Sequence, residues 1–259
     1  MDFGFWIYPG AFCMKKPNFI SQWREQESAD FIDFGNYFVP EREYQMQVIC
    51  DVIEPLEGEF HILDLCCGEG LLAGVLLAGH PTAVVHGYDG SDVMLQKAQS
   101  NLADFGPRFK SRKFDLAAFD WRRPEMPVQA VVSSLAIHHL DGPEKQILFK
   151  NVFEMLNPGG VFYIADLILP AAKCGEEIAA RAWDDAVKQR ALEIDGSDSA
   201  FEYFKKEQWN LYRFPDPIDK PSSMADQLNW LSKVGFLAVD VLWMKAGHAI
   251  FGGKKPDVT

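Results

Sequence analysis

An α/β fold built on a parallel, doubly wound sheet is what this sequence predicts. Three observations predict it. Short apolar strands alternate with amphipathic helices from about residue 60 to 168. The first strand runs into a glycine-rich turn, Gly68-Glu69-Gly70, that opens a helix. A helical stretch over 170–222 then breaks the alternation. An insertion after the fifth strand is expected to lie over the carboxyl ends of the strands, where open α/β sheets bind ligands.

The elements follow in order. Residues 1–57 hold no clear strand, and Glu41 to Ile53 reads as a helix with Tyr44, Val48 and Val52 at four-residue spacing. His61 to Leu65 is the first strand, and Leu71 to Ala78 continues as an apolar helix. Val84 to Tyr88 is the second strand, ending at Asp89. Ser91 is a good N-cap for a helix carrying Met94, Leu95, Ala98 and Leu102 on one face. A weaker third strand lies near Phe109 to Phe114, and Ala130 to Ser134 is the fourth. Asp141 and Glu144 form an acidic variant of the capping box. The helix behind them carries Leu148, Val152, Met155 and Leu156 on one stripe and is expected to stop at Asn157-Pro158-Gly159-Gly160. Val161 to Ile168 is the fifth strand. Two helices, about 174–194 and 199–212, precede Phe214-Pro215-Asp216-Pro217. A helix over Met224 to Val234 closes at Gly235, and Val239 to Trp243 with Ala249 to Phe251 forms a terminal hairpin.

Composition narrows the function. The 259 residues suffice for one large α/β domain with an inserted cap, and 48% hydrophobic with 24% charged residues is ordinary globular composition. Five cysteines without CxxC spacing argue against a disulfide framework or a Cys-rich zinc site and favour reduced thiols. A net charge of -12 makes nucleic acid an unlikely partner. Lys110-Ser111-Arg112-Lys113 and Arg122-Arg123, the candidates for a local basic patch, are short and read as solvated loop charges. The aromatic N-terminus (Phe3, Phe5, Trp6, Tyr8, Phe12) lacks the pattern of a signal peptide and reads as a dimer contact or a lid. No stretch approaches the roughly 18 apolar residues of a membrane span. A cytoplasmic protein without membrane contact is expected.

Gly68-Glu69-Gly70-Leu71-Leu72-Ala73 fits G-x-G-x-x-G/A, and Asp89 follows where a ribose-binding acid should stand. A dinucleotide enzyme and an adenosyl-cofactor enzyme share that pattern. Charge separates them. A pyrophosphate would sit against the turn, beside Glu69. Two like charges about 4 Å apart repel by about 4 kcal/mol at an effective dielectric near 20. A sulfonium cofactor has no phosphate and tolerates nearby carboxylates. No tyrosine has a lysine four residues on, so the Tyr-x-x-x-Lys pair of short-chain dehydrogenases is absent.

Ile62-Leu63-Asp64-Leu65-Cys66-Cys67-Gly68-Glu69-Gly70 resembles motif I of the class I S-adenosylmethionine-dependent methyltransferases. Gly87-Tyr88-Asp89-Gly90-Ser91 is similar to their second motif and Phe114-Asp115-Leu116 to the third. Val132 to Leu140 and Leu156 to Gly160 resemble the fourth- and fifth-strand motifs of the small-molecule branch. The resemblance covers roughly 60–168; Cys66 departs from it, standing where the family usually has glycine. It implies a Rossmann-like seven-stranded sheet with an antiparallel last strand. It also implies roles. Gly68 and Gly70 let the backbone approach the amino-acid end of S-adenosyl-L-methionine, with Asp64 beneath that cation. Asp89, beside Gly90, accepts from both ribose hydroxyls. Met94 packs on the adenine face, Asp115 accepts from the adenine amino group ahead of Asp120, and the Leu116 amide reads the ring. Cys66 and Ser134 line the methionyl end.

His138 and His139 are the candidate catalytic residues, because imidazole titrates near neutrality and can take an acceptor's proton; one of the two is expected to be structural and bonded to backbone. A metal site around Asp141, Asp166 and His139 is not expected, since Leu167 stands where metal-dependent catechol-type enzymes carry asparagine. Arg42 is a candidate for the cofactor carboxylate. Tyr37, Arg181, Trp183 and Tyr212 lie in segments expected to cover the site. The organisation expected is a helical lid over 1–57, a cofactor-binding core over 58–169 and 223–259, and a helical cap over 170–222. The function expected is methyl transfer to a small-molecule acceptor, at oxygen or nitrogen rather than carbon. Alternatives are a tRNA-modifying enzyme of the same fold, an NAD(P)-dependent oxidoreductase, or a non-catalytic cofactor-binding module.

Overall fold

The chain is described by a computed structural model over residues 25–257, residue 125 excepted. The aromatic stretch from Phe3 to Phe12 lies outside the described residues. Seven strands, β1 (Phe60–Leu65), β2 (Ala83–Asp89), β3 (Phe109–Lys113), β4 (Val128–Ser134), β5 (Leu156–Leu167), β6 (Leu237–Lys245) and β7 (His248–Lys254), form one sheet in the order β3-β2-β1-β4-β5-β7-β6. The first five are parallel, and β7 runs antiparallel to both β5 and β6. The chain winds outward from β1 to β3 and returns to β4. The crevice therefore opens where β1 and β4 end side by side.

Both faces of the sheet are covered, which is why its central strands are near-continuous apolar runs; every residue of β2 is buried. Successive side chains alternate faces. Leu63 and Val131 join one core with Phe149, Phe162 and Phe251, whereas Ile62 and Val132 join the other with Ile49, Leu76 and Ile250. The covering helices are α2 (Arg42–Asp51), α3 (Leu71–Gly79), α4 (Asp92–Asn101), α5 (Gly142–Met155) and α8 (Met224–Val234). Ser91 caps α4 by accepting from the Met94 amide, and Met94, Leu95, Ala98 and Leu102 are all buried. The Asp141–Glu144 capping box is formed at α5.

Three elements differ from the sequence reading. In α2 the buried face is Met46, Ile49 and Cys50, continued by Ile53, while Tyr44 is 56% exposed. Four-residue steps drift about 40° around a helix, so mixed three- and four-residue spacing holds the core face better. Helix α5 ends at Met155, one residue before Leu156 enters β5, and Asn157 to Gly160 form an irregular stretch of that strand. The register jumps there, from Leu156 opposite Val128 to Val161 opposite Ala130. Helix α7 (Ser199–Lys206) is shorter than expected: Gln208 takes φ +60° and the Trp209 amide turns back to the Phe204 carbonyl.

Helices α1 (Glu25–Phe38), α6 (Lys173–Asp195) and α7 pack on one another through Phe38, Trp183, Val187 and Phe204, against Leu167 and Ala246 at the sheet's end. Trp183 donates its indole N–H to the Phe38 carbonyl (2.7 Å). The Tyr212 hydroxyl lies 2.7 Å from the Ile168 carbonyl and 2.8 Å from that of Gly247. Arg181 is exposed, and the Tyr37 hydroxyl is spent on Asp195 (3.1 Å). The basic patches also divide. Arg112 and Lys113 are exposed and pair with Asp120 and Asp92. Arg122 is no solvated charge: it is buried, donating to Asn151 Oδ1 (2.8 Å) and the Leu116 carbonyl (3.1 Å).

Candidate active site

A cavity of about 730 Å³ fills the crevice. One end is built by β1, β2 and their turns. Asp64, one residue before the end of β1, is 1% exposed, and neither carboxylate oxygen has a hydrogen bond among the described residues. Burial, then the charge of Asp89, raises its carboxyl well above the usual range. The turn beyond it needs left-handed backbone at Cys66 (φ +58°), Gly68 (φ +54°) and Gly70 (φ +84°). At Gly70 the left-handed backbone and a Cβ position 3.2 Å from Ala98 Cβ both favour glycine where α3 and α4 close behind the turn. Cys66 adopts the same conformation with a side chain, and burial keeps its thiol protonated by pushing it up.

Asp89 ends β2. Its Oδ2 accepts from the Gly68 amide and its Oδ1 from the Ser91 amide, both at 2.8 Å. The carboxylate thus locks the two turns together at the wall of the cavity it lines. Gly90 and the buried Met94 continue that wall. Asp115 and Leu116 line it from the loop after β3, with Asp115 Oδ1 accepting from the Ala117 amide (2.9 Å). Asp120 is not among the lining residues. Ser134, half-buried, lines the cavity at the end of β4. Arg42, at the start of α2, also faces it, with its guanidinium 5.0 Å over the Phe31 ring and 3.3 Å from Asn36 Oδ1.

The other end of the cavity holds histidines. A 3-10 turn over Ile137–His139 follows β4. Asp166, 2% exposed on β5, grips His138 twice: Oδ2 accepts from the His138 amide (2.8 Å) and Oδ1 meets Nδ1 at 2.5 Å. His138 is therefore bonded through its ring to a side chain. Asp219, from the loop before α8, places Oδ1 3.4 Å from His138 Nε2 and 3.3 Å from His139 Nδ1. Burial alone would lower His138; the carboxylates of Asp166 and Asp219 outweigh it and push the imidazole up to about 9. Burial and the His138 charge lower His139. Asp141 caps α5 and does not line the cavity, which removes it from the metal set weighed in the sequence.

Two residues of this end carry no sequence signal. Asp219 follows Asp216-Pro217, which reads only as a loop. Lys145 lies three residues before Leu148 on the buried stripe of α5, where its charge alone argues for solvent, yet it is 1% exposed and donates to the Lys220 carbonyl (2.5 Å) and Ser222 Oγ (2.9 Å). Burial pushes its amine down to about 8.

Residues 62–160 match the family described as a methyltransferase domain. An uncharacterized methyltransferase of Bacillus thuringiensis is 27% identical over 161 residues, 61% of this chain and 68% of that one. The matched segment is a class I S-adenosylmethionine-dependent methyltransferase domain. The chain is also 20% identical to a carboxy-S-adenosyl-L-methionine synthase of Nautilia profundicola, over 88% of this chain and 91% of that one. A solved phosphoethanolamine N-methyltransferase 2 of Haemonchus contortus, in complex with S-adenosyl-L-methionine, superposes with a TM-score of 0.61 at 16% identity, covering 92% of this chain and 58% of that one. The chain spans about three-fifths of the length of the solved methyltransferases it matches.

The residues present fit S-adenosylmethionine, the cofactor of this group. Asp64 is a buried carboxylate without a hydrogen-bond partner at the end of β1, a site suited to a cation. Asp89 and Asp115 add negative charge along the same wall. The nicotinamide reading gives way to this match. Among the described residues no helix is long and apolar enough to cross a membrane.

Proposed function

We propose that this chain transfers a methyl group from S-adenosylmethionine to an oxygen or nitrogen nucleophile of a small-molecule acceptor. The buried, unsatisfied Asp64 carboxylate at the head of the cavity carries the reading: it is stable there only opposite a cation, and the methionyl ammonium supplies one. When bound, the cofactor supplies an electrophilic methyl on a good leaving group. The protein's own work is then alignment and exclusion of water. In this reading Cys66, Gly68, Gly70 and Ser134 bracket the methionyl end, with Arg42 near its carboxylate. Asp89 and Gly90 take the ribose, and Met94, Asp115 and Leu116 take the adenine. His138 and His139, at the opposite end of the cavity, hold the acceptor, and His139, whose imidazole burial favours in the neutral form, receives its proton. Phe38, Trp183 and Trp209 close the space over them.

The acidic chain favours a small acceptor over nucleic acid. Calorimetric titration with S-adenosylmethionine and S-adenosylhomocysteine, with NADH as control, tests the cofactor. Micromolar binding of the sulfur compounds alone is expected, and Asp89→Ala should weaken it at least tenfold. Binding of NADH alone, or unchanged affinity in the variant, sinks the proposal. The likeness to a carboxy-S-adenosyl-L-methionine synthase favours a second reading, in which the cofactor itself is the product's skeleton. Mass spectrometry of the cofactor after turnover separates the two, by loss or gain of mass on the adenosyl compound.

A further inference from the structure

We propose that His138, His139 and Asp219 form a binding site for a divalent zinc-class metal ion, with its open position facing the acceptor end of the cavity. His138 Nε2, His139 Nδ1 and an Asp219 carboxylate oxygen lie within 4.8 Å of one another. The Asp219 oxygen is 3.4 Å from the first nitrogen and 3.3 Å from the second. Both separations exceed the roughly 2.7–3.2 Å of an N–H···O hydrogen bond. Both equal the edge of a tetrahedron around a metal with bonds of about 2.0–2.1 Å, which is about 3.3–3.4 Å. An octahedron with the same bonds has edges of about 2.8–3.0 Å.

The surroundings are those of a metal ligand set. With its Nδ1–H given to Asp166, His138 directs Nε2 at the Asp219 oxygen across 3.4 Å, and a metal ion bound there would replace the proton between them. A carboxylate behind a ligating imidazole fixes its tautomer and raises its basicity, the usual outer support of a histidine–metal bond. Asp166 is itself fixed, because its oxygens also accept from the amides of His138 and Leu167 (2.8 Å each). The Asp219 loop is held on both sides. The Lys220 amide donates to the His138 carbonyl (2.7 Å), and Lys145 grips Lys220 and Ser222. Three protein ligands and one open position are the pattern of a catalytic rather than a structural zinc site.

The metal's role rests on the methyl transfer proposed above and would take over the proton step from His139: an acceptor hydroxyl on the open position would lose its proton more readily to solvent, and the oxyanion would be held in line for the methyl group. The site itself is tested without turnover. The full-length chain, stripped with a chelator, is titrated calorimetrically with zinc and with magnesium, and its cobalt(II) form is examined by visible absorption. One zinc per chain, no competition from magnesium and the intense spectrum of four-coordinate cobalt are expected. Asp219→Asn and His139→Gln should each weaken zinc binding at least a hundredfold, and Asp166→Asn ten- to a hundredfold. No stoichiometric zinc, a weak six-coordinate cobalt spectrum, or unchanged affinity in Asp219→Asn and His139→Gln would overturn the site; a proton alone then bridges His138 and Asp219. Cofactor affinity measured on the same wild-type sample is a separate readout. Zinc without cofactor binding removes the methyl-transfer proposal and leaves the metal site, and the converse removes only the metal.

Discussion

The ammonium of Lys145, on α5, is 2.5 Å from the carbonyl oxygen of Lys220, and through that contact a helix of the sheet layer fixes a loop of the cavity wall. The loop delivers Asp219 two residues after Pro217 and is pinned a second time by the Lys220 amide on His138. Lys145 is buried away from water, so its charge is held by this loop rather than solvated.

Lys145→Met keeps the side-chain length and removes the donor. The Lys220 carbonyl is then left without its charged partner, at a cost of about 1.5–3 kcal/mol. Denaturant unfolding should show that loss. Cofactor affinity should stay within twofold, because Lys145 does not line the Asp64–Asp89 end of the cavity, while the acceptor's KM rises. Equal loss of cofactor and acceptor affinity would show that the loop does not act locally.

Asp64→Asn separates stability from binding. In the free protein the Asp64 carboxylate is buried without hydrogen bonds, so a neutral amide of the same shape should raise stability by about 1–3 kcal/mol. The same change should weaken S-adenosylmethionine binding at least tenfold. The linkage has a definite sign. The folded-state pKa is raised, so the folded form holds the proton more tightly than the unfolded chain. Stability therefore falls as pH rises from the ordinary carboxylate range near 4 toward the raised folded value. The Asn variant should lose that slope in urea unfolding followed from pH 4 upward.

How far the site could be read from sequence divides along the same line. The cofactor end follows from local chemistry. A strand ending in Asp64, a turn demanding left-handed backbone at Gly68 and Gly70, and an acid closing the next strand are each set by neighbours in sequence. The acceptor end depends on contacts across 75 and more residues, such as Lys145 with Lys220 and His139 with Asp219. Hydrophobic periodicity carries no information about them. It also misplaced the core face of α2, where Tyr44 looks apolar yet Gln45 is the buried residue. That glutamine is kept inside by donating to the Pro40 carbonyl (2.6 Å), a bond that no spacing rule foretells.

His86 sets an acid limit on the fold. It is buried on β2, with Nε2 3.2 Å from His61 Nδ1. Burial, then the neighbouring His61 and Lys110, pushes it down to about 4. A depressed folded-state pKa means that the unfolded chain binds the proton first. The stabilising contribution is complete above about 6.5 and is lost as pH falls from 6.5 to 4. Thermal unfolding should show a falling Tm across that window, and His86→Gln should flatten it. An unchanged slope in the variant would assign the acid sensitivity to other groups.

Cys66 supplies the last test, because it occupies φ +58° where a side chain is strained. Left-handed backbone costs a non-glycine residue about 1–2 kcal/mol, and glycine loses about 0.5–1 kcal/mol of conformational entropy relative to alanine. Those terms nearly offset one another, and the thiol also packs on the core beneath the sheet. Cys66→Gly should therefore change stability by less than about 1 kcal/mol and leave cofactor affinity within a few fold. Cys66→Val adds a branched Cβ to the same left-handed turn and should cost about 2 kcal/mol or more. Since the Asp89 carboxylate grips the Gly68 amide two residues on, a turn forced out of that conformation also loosens the ribose end. Calorimetry of the valine variant should thus show weakened S-adenosylmethionine binding together with the lower stability. A valine variant as stable and as tight-binding as the parent would show that the turn is not held by its backbone conformation.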